Sequence, residues 1–209
     1  MLKSETRERR EMRKLKKLSV LAVVVFAFSA IGVANASAAP SFTTSKAGAA
    51  LTGTAKGSQV FTTNAGTVTC TSAATKGTTA ASGSTTQKVF VKYSGCTAFG
   101  FASVNISEAE YIFNAKAENK NTVTINKAIK IEVPLAGCSQ TVPAGQTVGT
   151  VSFSPANVLT TALVEESNVS GITYTSSGGL CGASGSNGTY KGNNEVKPES
   201  GVTIGYDSL

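Results

Sequence analysis

Apolar and polar residues alternate along several stretches of this 209-residue chain, and this pattern constrains the fold more than any other feature. Val89, Val91 and Tyr93 alternate with Lys88 and Lys92, although Phe90 interrupts the polar face, and the same spacing runs through 122–133 and 202–206. Successive side chains of a β-strand point to opposite faces of the sheet. Each stretch therefore predicts a strand with one buried face and one polar face.

Further short strands and glycine-containing turns complete the pattern. Strands are predicted at 58–63, 66–72, 103–107, 109–116, 147–153, 159–165, 169–175 and 188–191. Turns are predicted at 64–66, 94–95, 143–145, 177–179 and 187–188. Helix-forming residues leave a short helix as the alternative over 109–118. Many short strands with glycine-rich turns indicate an all-β domain, an antiparallel β-sandwich or a barrel-like relative of it.

The first 38 residues have the layout of a secretory signal peptide. A basic stretch ends at Lys17, an apolar run follows over 18–33, and small residues come next. Ala-x-Ala cleavage sequences end at Ala36 and at Ala38, and we expect cleavage after Ala38. The apolar run is shorter than the roughly 20 residues that span a bilayer. We predict a signal-peptide helix in 1–38, membrane contact only while it is uncleaved, and a single extracellular domain in 39–209.

The net charge of +7 is concentrated in this leader. Of the 19 basic and 12 acidic residues in the chain, eight basic and three acidic ones lie in 1–17, which leaves eleven and nine for the rest. Such a balanced domain lacks the basic surface that a polyanion requires. We therefore expect no nucleic-acid partner.

Four cysteines, Cys70, Cys96, Cys138 and Cys181, all follow the leader. A metal site would need closely spaced cysteines or histidine partners, and the chain has no histidine. An even number of cysteines in an exported protein favours disulfides over metal binding. Three pairings are open, and we favour the nearest-neighbour one, 70–96 with 138–181.

The residue types that catalysis commonly uses are scarce. Without histidine there is no Ser-His-Asp or Cys-His arrangement, and the single aspartate, Asp207, excludes calcium loops rich in aspartate. Two glutamate pairs remain for a glycoside hydrolase. Glu108 and Glu110 would share a strand face, whereas Glu165 and Glu166 would point in opposite directions. We expect a protein that is not an enzyme, has no cofactor and binds no metal ion.

Exposed aromatic rings could bind sugars, although the chain has no tryptophan. The candidates are Phe99 and Phe101, just after the second cysteine, and Tyr174 and Tyr190, which flank a Gly/Ser-rich loop. The alternative is that these rings form the core of a domain with few large apolar residues.

Three segments resemble a group of secreted proteins of high-GC Gram-positive bacteria that has no assigned activity. They are FTTNAGTVTC at 61–70, YSGCTAFGF at 93–101 and GGLCGASGSNGTYKG at 178–192. The resemblance covers most of the region after the leader. It implies export and a cysteine-bearing β-domain, and it implies no ligand or site residue.

These features together predict a secreted, non-enzymatic β-domain with a structural or interaction role at or outside the cell envelope. The expected partner is an envelope polysaccharide or a protein. A carbohydrate- or cell-wall-binding module is the main alternative, and a glutamate-dependent glycoside hydrolase is the third. The C-terminal stretch 201–209 carries no sorting motif, so we expect a protein that is released or held non-covalently.

Overall fold

A computed structural model of the chain describes residues 39–208, and the predicted signal peptide lies outside them. This range contains fifteen strands, two short 3-10 turns (Ala117–Asn119 and Pro134–Ala136) and no α-helix. The strands are β1 (Ser41–Thr44), β2 (Ala50–Ala55), β3 (Gln59–Thr63), β4 (Gly66–Thr78), β5 (Thr86–Ala98), β6 (Ala102–Ser103), β7 (Asn105–Ile106), β8 (Ala109–Asn114), β9 (Asn121–Ile125), β10 (Ile129–Val133), β11 (Cys138–Val142), β12 (Thr147–Ser154), β13 (Leu163–Ser177), β14 (Gly185–Pro198) and β15 (Ile204–Asp207).

Eight strand positions close into a ring. Strands β2 and β3 occupy one position, because both pair with β4 on one side and with β14 on the other. The ring then runs through β4, β5, β8, β9, β12, β13 and β14 in chain order, and every pairing is antiparallel. The predicted all-β, antiparallel fold is confirmed, in its barrel-like form. A ring of about eight strands leaves an interior that side chains fill or that holds one small ligand.

The predicted alternation separates the inside of the barrel from the outside. Val89, Val91 and Tyr93 in β5 are buried, whereas Lys88 and Lys92 are exposed. The other ring strands follow the same rule, with serine, threonine and lysine dominating the outer surface. Burial of the apolar set is the main favourable term in folding, so the pattern that predicted strands also determines which face turns inward.

The alternation of β5 shifts by one residue at a glycine. Tyr93 is buried, and beyond Gly95 the buried residues are Cys96 and Ala98, whose pairing through β4 to Gln59 and Phe61 keeps them on the interior side. Gly95 has a φ of 61°, and a Cβ there would lie 2.2 Å from Thr71 Oγ1. Glycine tolerates this conformation, so the strand continues through an irregular position without leaving the sheet. The turn predicted at this glycine is therefore wrong.

Strands β13 and β14 are longer than predicted. The segments expected at 159–165 and 169–175 are replaced by β13 alone, which begins at Leu163. Leu159 is exposed, and Thr160 forms only an isolated bridge with Ile204, so no strand forms over that part of the first segment. The turn predicted at 187–188 is also wrong, because both residues lie within β14.

Several local predictions are confirmed. Turns occur at 64–66, 143–145 and 177–179, and Gly66 has the positive φ that a tight hairpin requires. Over 109–118 the strand β8 forms rather than the alternative helix, and a 3-10 turn follows it.

Two smaller units extend the barrel. Strands β1 and β15 form a two-stranded ribbon, whose Phe42 and Tyr206 pack against Phe153 of β12. Strands β11, β10 and β7 form a sheet extension that is joined to the C-terminal half of β13.

Both favoured disulfides are confirmed. Cys70 and Cys96 stand directly opposite one another in the β4–β5 hairpin. Cys138, at the start of β11, is bonded to Cys181 in the loop between β13 and β14. The first bond links two neighbours in the ring, whereas the second ties the sheet extension to the barrel.

Candidate functional site

The barrel encloses a cavity of about 100 Å³. Its lining is mostly apolar and comes from strands all round the ring, for example Phe61, Val91, Phe113, Val123 and Val169. These residues occupy the inward positions of their strands, so the alternating pattern of the sequence also builds the wall of the cavity.

A group of polar side chains interrupts this lining on the β13–β14 side. Glu165 and Ser167 take inward positions of β13, and Asn194 stands opposite Glu165 in β14. Asn194 Nδ2 donates a hydrogen bond of 2.7 Å to Glu165 Oε2, and the Ser167 hydroxyl donates to Glu165 Oε1. Glu165 is only 4% exposed. Its burial raises the pKa of the carboxyl, although the two hydrogen bonds oppose that change.

Asn194 is incompletely satisfied. The residue is 4% exposed. Among the buried side-chain oxygen and nitrogen atoms of residues 39–208, Asn194 Oδ1 stands out because it has no hydrogen-bond partner. Rotating the amide would direct Oδ1 towards Glu165 Oε2, an arrangement that requires a protonated carboxyl, and would leave Nδ2 without a partner instead. A buried polar group without a partner costs about 1–3 kcal/mol. One end of this amide is therefore available to a further hydrogen-bonding group in the cavity.

Three tyrosine hydroxyls lie in the same interior. Tyr93 and Tyr111 share a hydrogen bond of 3.0 Å, and Tyr190 donates to Gln59 Oε1. The Gln59 side chain fits here because Gly192 has no Cβ, which would lie 2.1 Å from Gln59 Oε1. Burial raises the pKa of all three tyrosines, so they remain neutral phenols at physiological pH.

The charge of the cavity is limited to one group. Of the described residues that line it, Glu165 is the single carboxylic acid, and none is a lysine or an arginine. An anionic ligand would therefore meet no cation there. An apolar or neutral molecule matches this lining best.

The structure does not assemble either predicted glutamate pair. Glu165 and Glu166 point in opposite directions, as expected, so only Glu165 reaches the cavity. Glu108 is exposed just before β8. Glu110 lies outside the cavity lining, in an ion pair of 2.7 Å with Lys88, which helps to lower the pKa of its carboxyl.

The aromatic candidates divide into two groups. Phe99 and Phe101 are 53% and 73% exposed, as predicted for a binding surface. Tyr174 and Tyr190 are 1% and 9% exposed, so for them the role of an exposed binding ring is wrong and the alternative, that the rings belong to the core, holds. Both tyrosines lie on inward positions of long strands, and the hydroxyl of Tyr174 accepts a hydrogen bond from the Asn64 amide.

The polar cluster itself was not recognised in the sequence. The pattern predicted that Glu165 and Glu166 face opposite sides, but Ser167 and Asn194 carry no distinguishing local signal. Asn194 reaches Glu165 only because β13 and β14 pair along most of their length.

Within residues 39–208 no three histidine, cysteine, aspartate or glutamate side chains are grouped to hold a metal ion. No helix in the same range has both the length and the apolar character needed to cross a membrane. No protein-family model, curated protein or solved structure matches the chain.

Proposed function

We propose that this chain is a secreted, non-enzymatic binding protein whose barrel interior holds a small apolar molecule. The observation that carries the proposal is the mostly apolar cavity at the centre of the closed ring. The two disulfides are consistent with a protein that works outside the cell.

The size and lining of the cavity indicate what kind of molecule would fit. An apolar cavity of about 150 Å³ in another protein stays dry and binds benzene. At about 100 Å³, this cavity suits a single aromatic ring or a short alkyl chain rather than a long-chain lipid. Binding sites of this kind combine an apolar wall with a few polar groups that orient the ligand, and Glu165, Ser167 and Asn194 are such groups.

Titration with toluene tests this proposal. The protein is produced from the full chain with both disulfides formed, and backbone amide shifts are followed by NMR. We expect saturable shifts at residues that line the cavity. If toluene causes no shift in the wild-type protein, the proposed function is rejected.

A pair of variants on one strand controls the test. Val91→Phe adds a ring inside the cavity, and Lys92→Phe adds the same ring on the outer surface. We expect Val91→Phe to abolish the toluene shifts and Lys92→Phe to preserve them. If Val91→Phe does not fold, Val91→Leu, which fills less space, is expected to weaken toluene binding.

A second candidate function rests on the exposed rings of Phe99 and Phe101, beside the chain reversal between β5 and β6. Two exposed rings close together in the sequence suit a sugar polymer. We therefore propose this surface as the binding site if the protein is a carbohydrate- or cell-wall-binding module. A glycan and peptidoglycan binding screen tests it, with Phe99→Ala/Phe101→Ala expected to lose binding. Phe90→Ala is the control, because Phe90 is exposed on the barrel wall. Absence of binding to every envelope polymer would reject this candidate.

A further inference from the structure

We infer that the molecule held in the barrel is neutral and carries one hydroxyl group, which hydrogen-bonds to Asn194. The inference rests on the proposed function and names the chemical class of its ligand. It starts from the polar cluster of Glu165, Ser167 and Asn194, where a buried amide oxygen in the lining of the apolar cavity has no hydrogen-bond partner.

The state of Asn194 points to a hydroxyl. Its Nδ2 already donates to Glu165, so its Oδ1 requires a donor. In the rotated amide, Nδ2 would require an acceptor instead. A hydroxyl group donates and accepts, so it satisfies Asn194 in both orientations. A pure hydrocarbon would leave the amide unpaired and would retain the cost of that burial.

The charge of the lining excludes a ligand anion. A carboxylate would enter a cavity without lysine or arginine and would lie close to Glu165. Burial of an unpaired charge costs far more than burial of a hydroxyl. A ligand ammonium is disfavoured for a related reason, because both Glu165 oxygens already accept hydrogen bonds and the ion would lose its hydration.

The test compares ligands of nearly equal shape. Toluene and phenol differ by a methyl in place of a hydroxyl, so this pair tests the hydrogen bond. Benzyl alcohol, benzoate and benzylamine carry a neutral, a negative and a positive group, so this set tests the effect of ligand charge. We expect phenol and benzyl alcohol to bind the wild-type protein, and benzoate not to bind. Tighter binding of benzylamine or benzoate than of benzyl alcohol would overturn the inference.

The variant Asn194→Leu removes the proposed hydrogen bond to the ligand together with the one that Asn194 donates to Glu165. We expect it to weaken phenol binding about tenfold, the loss of one hydrogen bond, while toluene binding stays within about twofold of the wild-type value. Equal effects on phenol and toluene would refute the role of Asn194. If the variant does not fold, the side-chain amide signals of Asn194 in the wild-type protein decide the question. They are expected to move with phenol and to stay unchanged with toluene.

The outcomes separate this inference from the proposed function. If toluene binds in the cavity but phenol gains nothing from Asn194, the inference fails and the proposed function stands. If toluene does not bind, the proposed function fails whatever phenol does, and the inference that rests on it fails too.

Discussion

The disulfide between Cys138 and Cys181 provides a quantitative test of how the sheet extension is held. The two residues are 43 positions apart. In the chain-entropy account, opening a loop of this length costs about 4 kcal/mol of stability. Small domains have a total stability of about 5–15 kcal/mol. The variant Cys138→Ala/Cys181→Ala should therefore remain folded but lose a large share of its free energy of unfolding.

The loss should be concentrated in one part of the molecule. Strand β11 pairs with β13 at only three positions, 139–141 with 175–177, and β10 pairs with β11 on one side and with the two-residue strand β7 on the other. The disulfide reinforces this short junction. Without it, we expect backbone amides of β10 and β11 to lose protection from hydrogen exchange, while those of the barrel strands keep most of theirs.

The control is Cys70→Ala/Cys96→Ala, which opens a loop of 26 residues and should cost roughly 3.5 kcal/mol. Those cysteines lie within the long β4–β5 hairpin, so its strands remain paired. Urea unfolding measures both losses, and hydrogen exchange locates them. A loss of less than about 1 kcal/mol in Cys138→Ala/Cys181→Ala, or unchanged protection in β10 and β11, would refute the reasoning.

Three further predictions concern the interior, the strand geometry and export. Burial raises the pKa of Glu165 above its ordinary value of 4.5. Between 4.5 and the pKa of Glu165 in the folded protein, the folded state binds more protons than the unfolded state, so the contribution of Glu165 to stability falls as the pH rises. The difference in free energy of unfolding between wild type and Glu165→Gln should therefore depend on pH in that window, and a difference that is constant with pH would contradict the raised pKa. Gly95→Ala should destabilise the protein more than Gly83→Ala in thermal unfolding, because both glycines have positive φ but only Gly95 has a neighbour, Thr71, within contact of an added Cβ. Mass spectrometry of the exported protein should find Ala39 at its N-terminus, and an intact leader on secreted protein would disprove the predicted cleavage.

Much of the local structure could be predicted because its causes are local. Alternation of apolar residues predicted β5 and, as one stretch over 122–133, the two strands β9 and β10, and the favoured pairing of the cysteines is the one that the structure confirms. The errors occur where a strand passes through a turn-like sequence. Gly95 shifts the alternation of β5 by one residue without ending the strand, and 187–188 lie inside β14. Glycine permits both a turn and a distorted strand, and only the neighbouring strands decide which one forms.

The candidate site was harder to predict from the sequence than the strands, because it depends on contacts between distant parts of the chain. The position of Glu165 on an inward face follows from alternation, but its contact with Asn194 requires the pairing of β13 with β14. The burial of Tyr174 and Tyr190, predicted as exposed rings, has the same origin. Solvent exposure depends on what covers a residue, and the covering strands are distant in the sequence.

By itself, the sequence determined the all-β class and the division into inward and outward faces, and it left three cysteine pairings open. The tertiary structure decided that the sheet closes, because closure joins β14 to β2 and β3 across more than a hundred residues. Backbone hydrogen bonds between strands are alike for all residue types, so local patterns do not specify which strands pair. Closure creates the cavity and brings Glu165, Ser167 and Asn194 together inside it.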